Sequence, residues 1–146
     1  MGGSRRLIEY FSHSANETFE YGRTLGCDLP IPTVICLFGE LGAGKTTFIK
    51  GLVSGAAELN PSIVQSPTFS YMNIYEGKKK IYHFDLYRMR DMDEFLSMGF
   101  DEYFDAEGIC CIEWSERIQD YLPPHCLNVH MKHIQGDQRC ISLSRN

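Results

Sequence analysis

From Thr33 to Phe38 the chain runs Thr-Val-Ile-Cys-Leu-Phe with no charged residue, the pattern of a strand buried on both faces. Ile109 to Ile112 repeats that pattern and ends in Glu113. Across Lys80 to Tyr87 alternation takes over. Tyr82, Phe84 and Leu86 fall on one face of a strand, and Ile81, His83 and Asp85 on the other. Ser70 to Tyr75 reads as its partner, joined by a hairpin turn at Glu76-Gly77-Lys78-Lys79. A final hairpin is predicted from Cys126 to Ile134 and Gln138 to Leu143, around Gln135-Gly136-Asp137 and after the Pro123-Pro124 break. Leu7 to Phe11 fits a short opening strand.

Helical signals lie between these runs. Ser14-Ala15-Asn16-Glu17 has the form of a capping box, in which the Ser14 hydroxyl accepts from the Glu17 amide and the Glu17 carboxylate reaches back. It predicts a helix to about Leu25, stopped by Gly26 and by Pro30 and Pro32. Further helices are expected from Lys45 to about Ser54 and from Asp91 to Met98 before Gly99, with a short segment at Ser115 to Tyr121. Strands and helices alternate early and hairpins follow, which suggests an α/β sandwich with a mixed sheet.

Composition adds limits. With 146 residues, 43% hydrophobic and 23% charged, the chain has the size and make-up of one soluble domain. No apolar run approaches the roughly 20 residues of a membrane span. The N-terminus lacks the apolar core of a secretory signal, and Arg6 stands where a myristoylation signal requires Ser or Thr. A cytoplasmic protein is expected. A net charge of −5 argues against a broad electrostatic grip on nucleic acid. The basic run Lys78-Lys79-Lys80 reads as a solvated turn. Cys27, Cys36, Cys110, Cys111, Cys126 and Cys140 contain no C-x-x-C pair and fit buried free thiols better than disulfides or zinc. His130 and His133 are spaced to diverge from a strand, so no zinc site is expected with His125.

The sharpest chemical signal is Gly39-Glu40-Leu41-Gly42-Ala43-Gly44-Lys45-Thr46, a gapless G-x-x-x-x-G-K-[ST] between a buried strand and a helix. Phosphate oxygens need converging N–H donors, and glycines let the backbone turn inward to supply them. The helix start adds unpaired N–H groups and the positive end of its dipole. Lys45 is expected to meet the β- and γ-phosphates of a nucleoside triphosphate, and the Thr46 hydroxyl to ligate Mg²⁺. Glu113, closing the second buried strand, is the candidate acid near that ion, against the alternative of a strand end meeting solvent. Asp85 is disfavoured in a strand by propensity. Its place in the strand therefore needs a reason, and pairing with Arg88 or another base is the structural one. Trp114 fits core, lid or partner contact.

Gly39 to Thr47, Ser66-Pro67-Thr68-Phe69, His83-Phe84-Asp85-Leu86-Tyr87-Arg88 and Ile112-Glu113-Trp114, in this order and spacing, resemble the TsaE (YjeE) family. These are bacterial ATPases of threonylcarbamoyladenosine formation at position 37 of tRNA. The resemblance spans about Ser14 to Gly136. It implies a single P-loop ATPase domain over 1–146, in the P-loop NTPase-like three-layer sandwich with a partly antiparallel sheet. It implies ATP and Mg²⁺ as ligands and a TsaD–TsaB complex as partner, with tRNA engaged only indirectly and hydrolysis slow until partners stimulate it. On matching positions it implies catalytic roles for Lys45, Asp85 and Glu113 and metal ligation by Thr46 and Glu113. Nucleotide contacts are implied at Gly39, Glu40, Leu41, Gly42, Ala43, Gly44, Lys45, Thr46, Thr47 and Thr68, with Ala15 and Gly136 bordering the adenine. Ser115 stands where the family commonly has Pro, which implies a less rigid backbone after Trp114.

Two other functions fit a phosphate loop. A small-molecule or nucleoside kinase needs an arginine-bearing lid, whereas Arg88, Arg90 and Arg117 are scattered. A non-hydrolysing module would use ATP only to order Thr68 and Trp114 into a docking face.

Overall fold

The computed structural model describes residues 7–40, 42–67 and 70–145. Strands β1 (Ile8–Ser12), β2 (Thr33–Phe38), β3 (Met72–Tyr75), β4 (Ile81–Asp85), β5 (Ile109–Glu113), β6 (Leu127–His133) and β7 (Arg139–Arg145) form one sheet in the order β1-β7-β6-β2-β5-β4-β3. The inner strands β6, β2, β5 and β4 run parallel to one another, while the β1–β7, β6–β7 and β3–β4 pairs are antiparallel. This is the mixed α/β architecture that the apolar spacing predicts.

The two halves of the sheet are covered differently. β2 and β5 are buried along nearly their whole length. Ile35, Leu37 and Cys111 enter one core cluster, and Val34, Cys36, Cys110 and Ile112 enter the other with Phe84 and Phe95. The adjacent Cys110 and Cys111 thus face opposite layers, and burial pushes the Cys110 thiol up to about 12. In β6, Leu127, Val129 and Met131 are buried while His130 and Lys132 are exposed, the alternation of a sheet with one open face. The three layers are complete over β2, β5 and β4, where α3 (Met92–Ser97) and the 3₁₀ turns Phe100–Asp105 and Ser115–Tyr121 supply the third. Not all the thiols are buried: Cys27 is exposed and Cys140 half-buried.

Helices α1 (Ala15–Asp28) and α2 (Lys45–Ala57) cover the other face. The Ser14 hydroxyl accepts the Glu17 N–H at 3.1 Å, and the Glu17 carboxylate accepts from His13 N–H at 2.9 Å, one residue ahead of the cap. Gly26 does not end α1, which continues to Asp28. Gly22 and Gly26 of α1 lie against the backbone of Phe48, Leu52 and Ala56, and Gly51 and Gly55 of α2 lie against that of Phe19 and Arg23. A Cβ at Gly26 would lie 2.7 Å from Leu52 O, and one at Gly51 2.1 Å from Phe19 O. Close packing of the helices outweighs the poor helix propensity of these glycines.

The lysine turn is more than a solvated one. The Lys78 and Lys79 amides donate to Ala57 O and Ala56 O at 2.9 and 3.1 Å, closing the end of α2. Lys79 Nζ donates to Gly26 O, Cys27 O and Leu29 O at 3.3, 3.2 and 2.6 Å, a cation at the negative end of α1. Lys78 and Lys80 pair at the surface with Glu58 and Glu76. No helix among the described residues is long and apolar enough to cross a membrane.

Candidate functional site

The parallel strands deliver their chemistry at their C-terminal ends, as open α/β sheets do. β2 leads into the glycine-rich loop. Gly42 (φ 84°) and Gly44 (φ 98°) adopt left-handed backbone that a side chain would strain. Gly44 caps α2 without a side-chain hydrogen bond, so the helix start keeps donors and dipole for an anion. Lys45 is 7% exposed; its Nζ donates to Gly39 O at 2.7 Å and lies 4.5 Å from the centre of the Trp114 ring.

β4 and β5 end beside it, with Asp85 and Glu113 paired in register across the two parallel strands. Asp85 Oδ1 accepts the Tyr87 N–H at 3.0 Å. Burial foremost, with Glu113 adding like charge, raises its carboxyl above the usual aspartate value, while the Tyr87 N–H opposes the rise. Glu113 is 4% exposed, and its Oε2 lies 2.7 Å from His83 Nε2. Trp114 takes left-handed backbone (φ 61°) just beyond it and packs against Tyr87, with ring centres 4.9 Å apart. Ser115 does not loosen the chain at this bend. It is fully buried, and its hydroxyl donates to Ile112 O at 2.8 Å.

These residues wall a cavity of about 530 Å³. Gly42, Gly44, Lys45, Thr46 and Thr47 face Ser66, Asp85, Glu113 and Trp114 across it, with Arg139 at its side. A smaller hollow joins Ala15, Gly44 and Thr47 to Asp137 and Arg139. A larger concavity of about 700 Å³ lies on the open face of β6 and β7, beside the stacked Phe38 and His130. Among the described residues it reaches the glycine-rich loop only at Gly39 and includes neither Lys45 nor the acid pair, so the smaller cavity is the candidate site. A buried lysine, an uncapped helix start and two adjoining carboxylates fit a phosphorylated ligand with a divalent cation. Thr46 and Glu113 both line this cavity and carry the oxygen donors that such a cation would use.

The TsaE family model, described as threonylcarbamoyl adenosine biosynthesis protein TsaE, matches residues 12–141. The chain belongs to the TsaE family. It is similar to the tRNA threonylcarbamoyladenosine biosynthesis protein TsaE of Treponema pallidum, 34% identical over 133 residues, covering 91% of this chain and 97% of that one. The Bacillus subtilis TsaE is 42% identical over 112 residues, covering 76% and 68%. Among solved structures, the crystal structure of Bacillus subtilis YdiB superposes with a TM-score of 0.79 at 29% identity, over 99% of this chain and 88% of that one. The family's part in tRNA threonylcarbamoyladenosine biosynthesis is therefore this chain's too.

Within this TsaE-family chain, the structure brings part of the expected set together. Gly42, Gly44, Lys45, Thr46, Thr47, Asp85 and Glu113 line one cavity. Gly39, Glu40 and Ala43 lie on the outer side of the loop against Met131 and Lys132. Ala15 borders the smaller hollow, and Gly136 adjoins it through Asp137. Leu41 and Thr68 lie outside the described residues.

Sequence reasoning missed Arg139. Its guanidinium donates to Ala43 O and Gly42 O at 3.0 and 3.1 Å, and to Gly136 O and Gln138 O at 2.8 and 3.0 Å. It ties the glycine-rich loop to the final hairpin. An arginine opening a half-exposed strand carries no signal of this, because its partners are backbone carbonyls some 96 residues away.

Proposed function

We propose that this chain is a Mg²⁺-dependent ATPase that hydrolyses ATP in support of threonylcarbamoyladenosine formation on tRNA, acting with a TsaD–TsaB complex. The observation that carries this reading is the pairing of Asp85 and Glu113 at the ends of β4 and β5, in one cavity with Lys45 and Thr46. Triphosphate binding needs the glycine-rich loop alone; a second and third acid-base group opposite it supports hydrolysis. Mg²⁺, when bound, neutralises charge developing on the phosphate oxygens. Lys45 leaves Gly39 O to reach those oxygens, which also takes its charge away from Trp114. Asp85, with its raised carboxyl, accepts the proton of the attacking water. Glu113 and Thr46 would hold the ion. Two of the arginines that a kinase lid would need are otherwise engaged: Arg90 with Glu94 and Arg117 with Tyr87 O.

The experiment is ATP hydrolysis by the purified chain with and without TsaD–TsaB. Slow turnover that the complex accelerates supports the proposal, and equal turnover counts against it. One observation favours a nucleotide-dependent docking role as a second reading. Trp114 sits between Lys45 and Tyr87, and Tyr87 is 56% exposed, so moving Lys45 would be felt at the surface. If cells carrying Asp85→Ala keep their tRNA modification, docking rather than hydrolysis is the output.

A further inference from the structure

Behind the cavity lies a run of buried polar side chains that the proposed chemistry does not use. His83 stands on β4 two residues before Asp85 and is 1% exposed. Its Nε2 lies 2.7 Å from Glu113 Oε2, and its Nδ1 lies 3.0 Å from the Tyr75 hydroxyl on β3. The Gln65 N–H donates to that hydroxyl at 3.3 Å. The chain of bonds therefore starts on the backbone next to Ser66 of the cavity wall and ends on the candidate metal carboxylate.

With Glu113 ionised and the His83 ring neutral, Nε2 carries the hydrogen toward Oε2, and the one Tyr75 hydroxyl hydrogen has two acceptors in reach, His83 Nδ1 and Gln65 O at 3.1 Å. Burial raises Tyr75 above the usual tyrosine value and keeps that hydrogen in place. Gln65 O does not depend on the phenol, since Asn73 Nδ2 donates to it at 2.9 Å. Among the described residues no buried side-chain polar atom is left unpaired.

We propose that His83, braced by Tyr75, is the positioning residue of the metal-binding carboxylate: it holds Glu113 through Oε2 and so leaves Oε1 for the ion. This rests on the reading of Glu113 as a Mg²⁺ ligand. Carboxylate ligands oriented by a hydrogen-bonding partner bind metal more tightly than ones that must be ordered on binding. A purely structural His83–Glu113 pair would affect folding but not the Mg²⁺ response of folded protein.

The test follows ADP binding to the full chain by Trp114 fluorescence, in EDTA and across a MgCl₂ titration. His83→Leu is expected to raise the half-saturating Mg²⁺ concentration about 10–100-fold, with ADP affinity in EDTA within about twofold of the parent. His83→Gln, which presents an amide N–H toward Glu113, should recover most of that loss. Tyr75→Phe keeps the ring and removes the hydroxyl from His83, together with its bonds to the Gln65 backbone, for a rise of about fivefold. Glu113→Gln separates the two levels of the argument. An unchanged Mg²⁺ response in Glu113→Gln overturns the metal reading and this inference with it. A weakened response there, beside parental responses in His83→Leu and Tyr75→Phe, overturns this inference alone. Equal losses with and without Mg²⁺ reduce His83 to packing and also overturn it. Should His83→Leu fail to fold, Tyr75→Phe decides by the same criterion.

Discussion

Asp85 and Glu113 close strands that pack on both faces, and a buried side chain, His83, holds Glu113. At the other side of the cavity Arg139 opens a strand with one open face and grips the glycine-rich loop through the carbonyls of Gly42 and Ala43. The first arrangement cannot shift without disturbing the core, whereas the second depends on one side chain. In the proposed reaction, the groups that meet the phosphate to within tenths of an ångström sit on the rigid side. The loop that must admit and release a ligand is fastened from the adjustable side.

The sharpest way to break this division is Asp85→Asn. If the acid side carries the chemistry, turnover falls by about 10²–10⁴, the usual weight of a general base, while ADP affinity changes little. Parental turnover in single-turnover assays would leave the acid side without its function. Arg139→Ala should do the reverse. Losing several charge-assisted bonds to backbone oxygens is expected to lower stability by about 1.5–3 kcal/mol in urea melts and to weaken ADP binding about tenfold at the same order of energy. The half-saturating Mg²⁺ concentration should hold steady. Arg139→Lys should recover little, because an ammonium cannot reproduce the fork. If Arg139→Ala shifts the Mg²⁺ response as Glu113→Gln does, the two sides are one unit. Gly51→Ala acts at a distance from both. Its Cβ would meet Phe19 O at 2.1 Å, so α1 and α2 must separate at a cost of about 1–3 kcal/mol in urea melts.

What the sequence made legible follows the same division. The buried strands, the glycine-rich loop and Glu113 were readable because each rests on local pattern: continuous apolar runs, glycine spacing and a charge at a strand end. Asp85 was placed inside a longer predicted strand, and its role came from the family resemblance. Even the shared face of His83 and Asp85 followed from alternation. That His83 reaches Glu113 was not readable, because it requires the register of β4 on β5, which no local pattern states. The same holds for Gly26, whose role lies in its approach to Leu52 O, and for Lys79, whose partners are carbonyls at the end of α1. Arg139 was hidden for that reason too. Local periodicity reports which face a residue takes; it does not report what stands opposite.

The smallest effect is the most specific to the acid side. Burial raises the Asp85 carboxyl above its unfolded value, which is near 3.8, so its ionisation opposes folding. Below about pH 3.8 the group is protonated in both states and its contribution to stability is fully present. As pH rises through the higher folded value, the half-buried carboxylate must ionise and that contribution is lost. Asp85→Asn cannot ionise, and its amide oxygen can still accept the Tyr87 N–H. Thermal melts of nucleotide-free protein should therefore show no offset between Asp85→Asn and the parent in acid, and a higher melting temperature for Asp85→Asn at neutral pH. Part of the rise comes from the like charge of Glu113, so the offset should shrink when both proteins also carry Glu113→Gln. An offset that stays level from pH 4 to pH 8 would mean that Asp85 is solvated like a surface aspartate, and the acid side would lose its claim to being the rigid, desolvated half of the cavity.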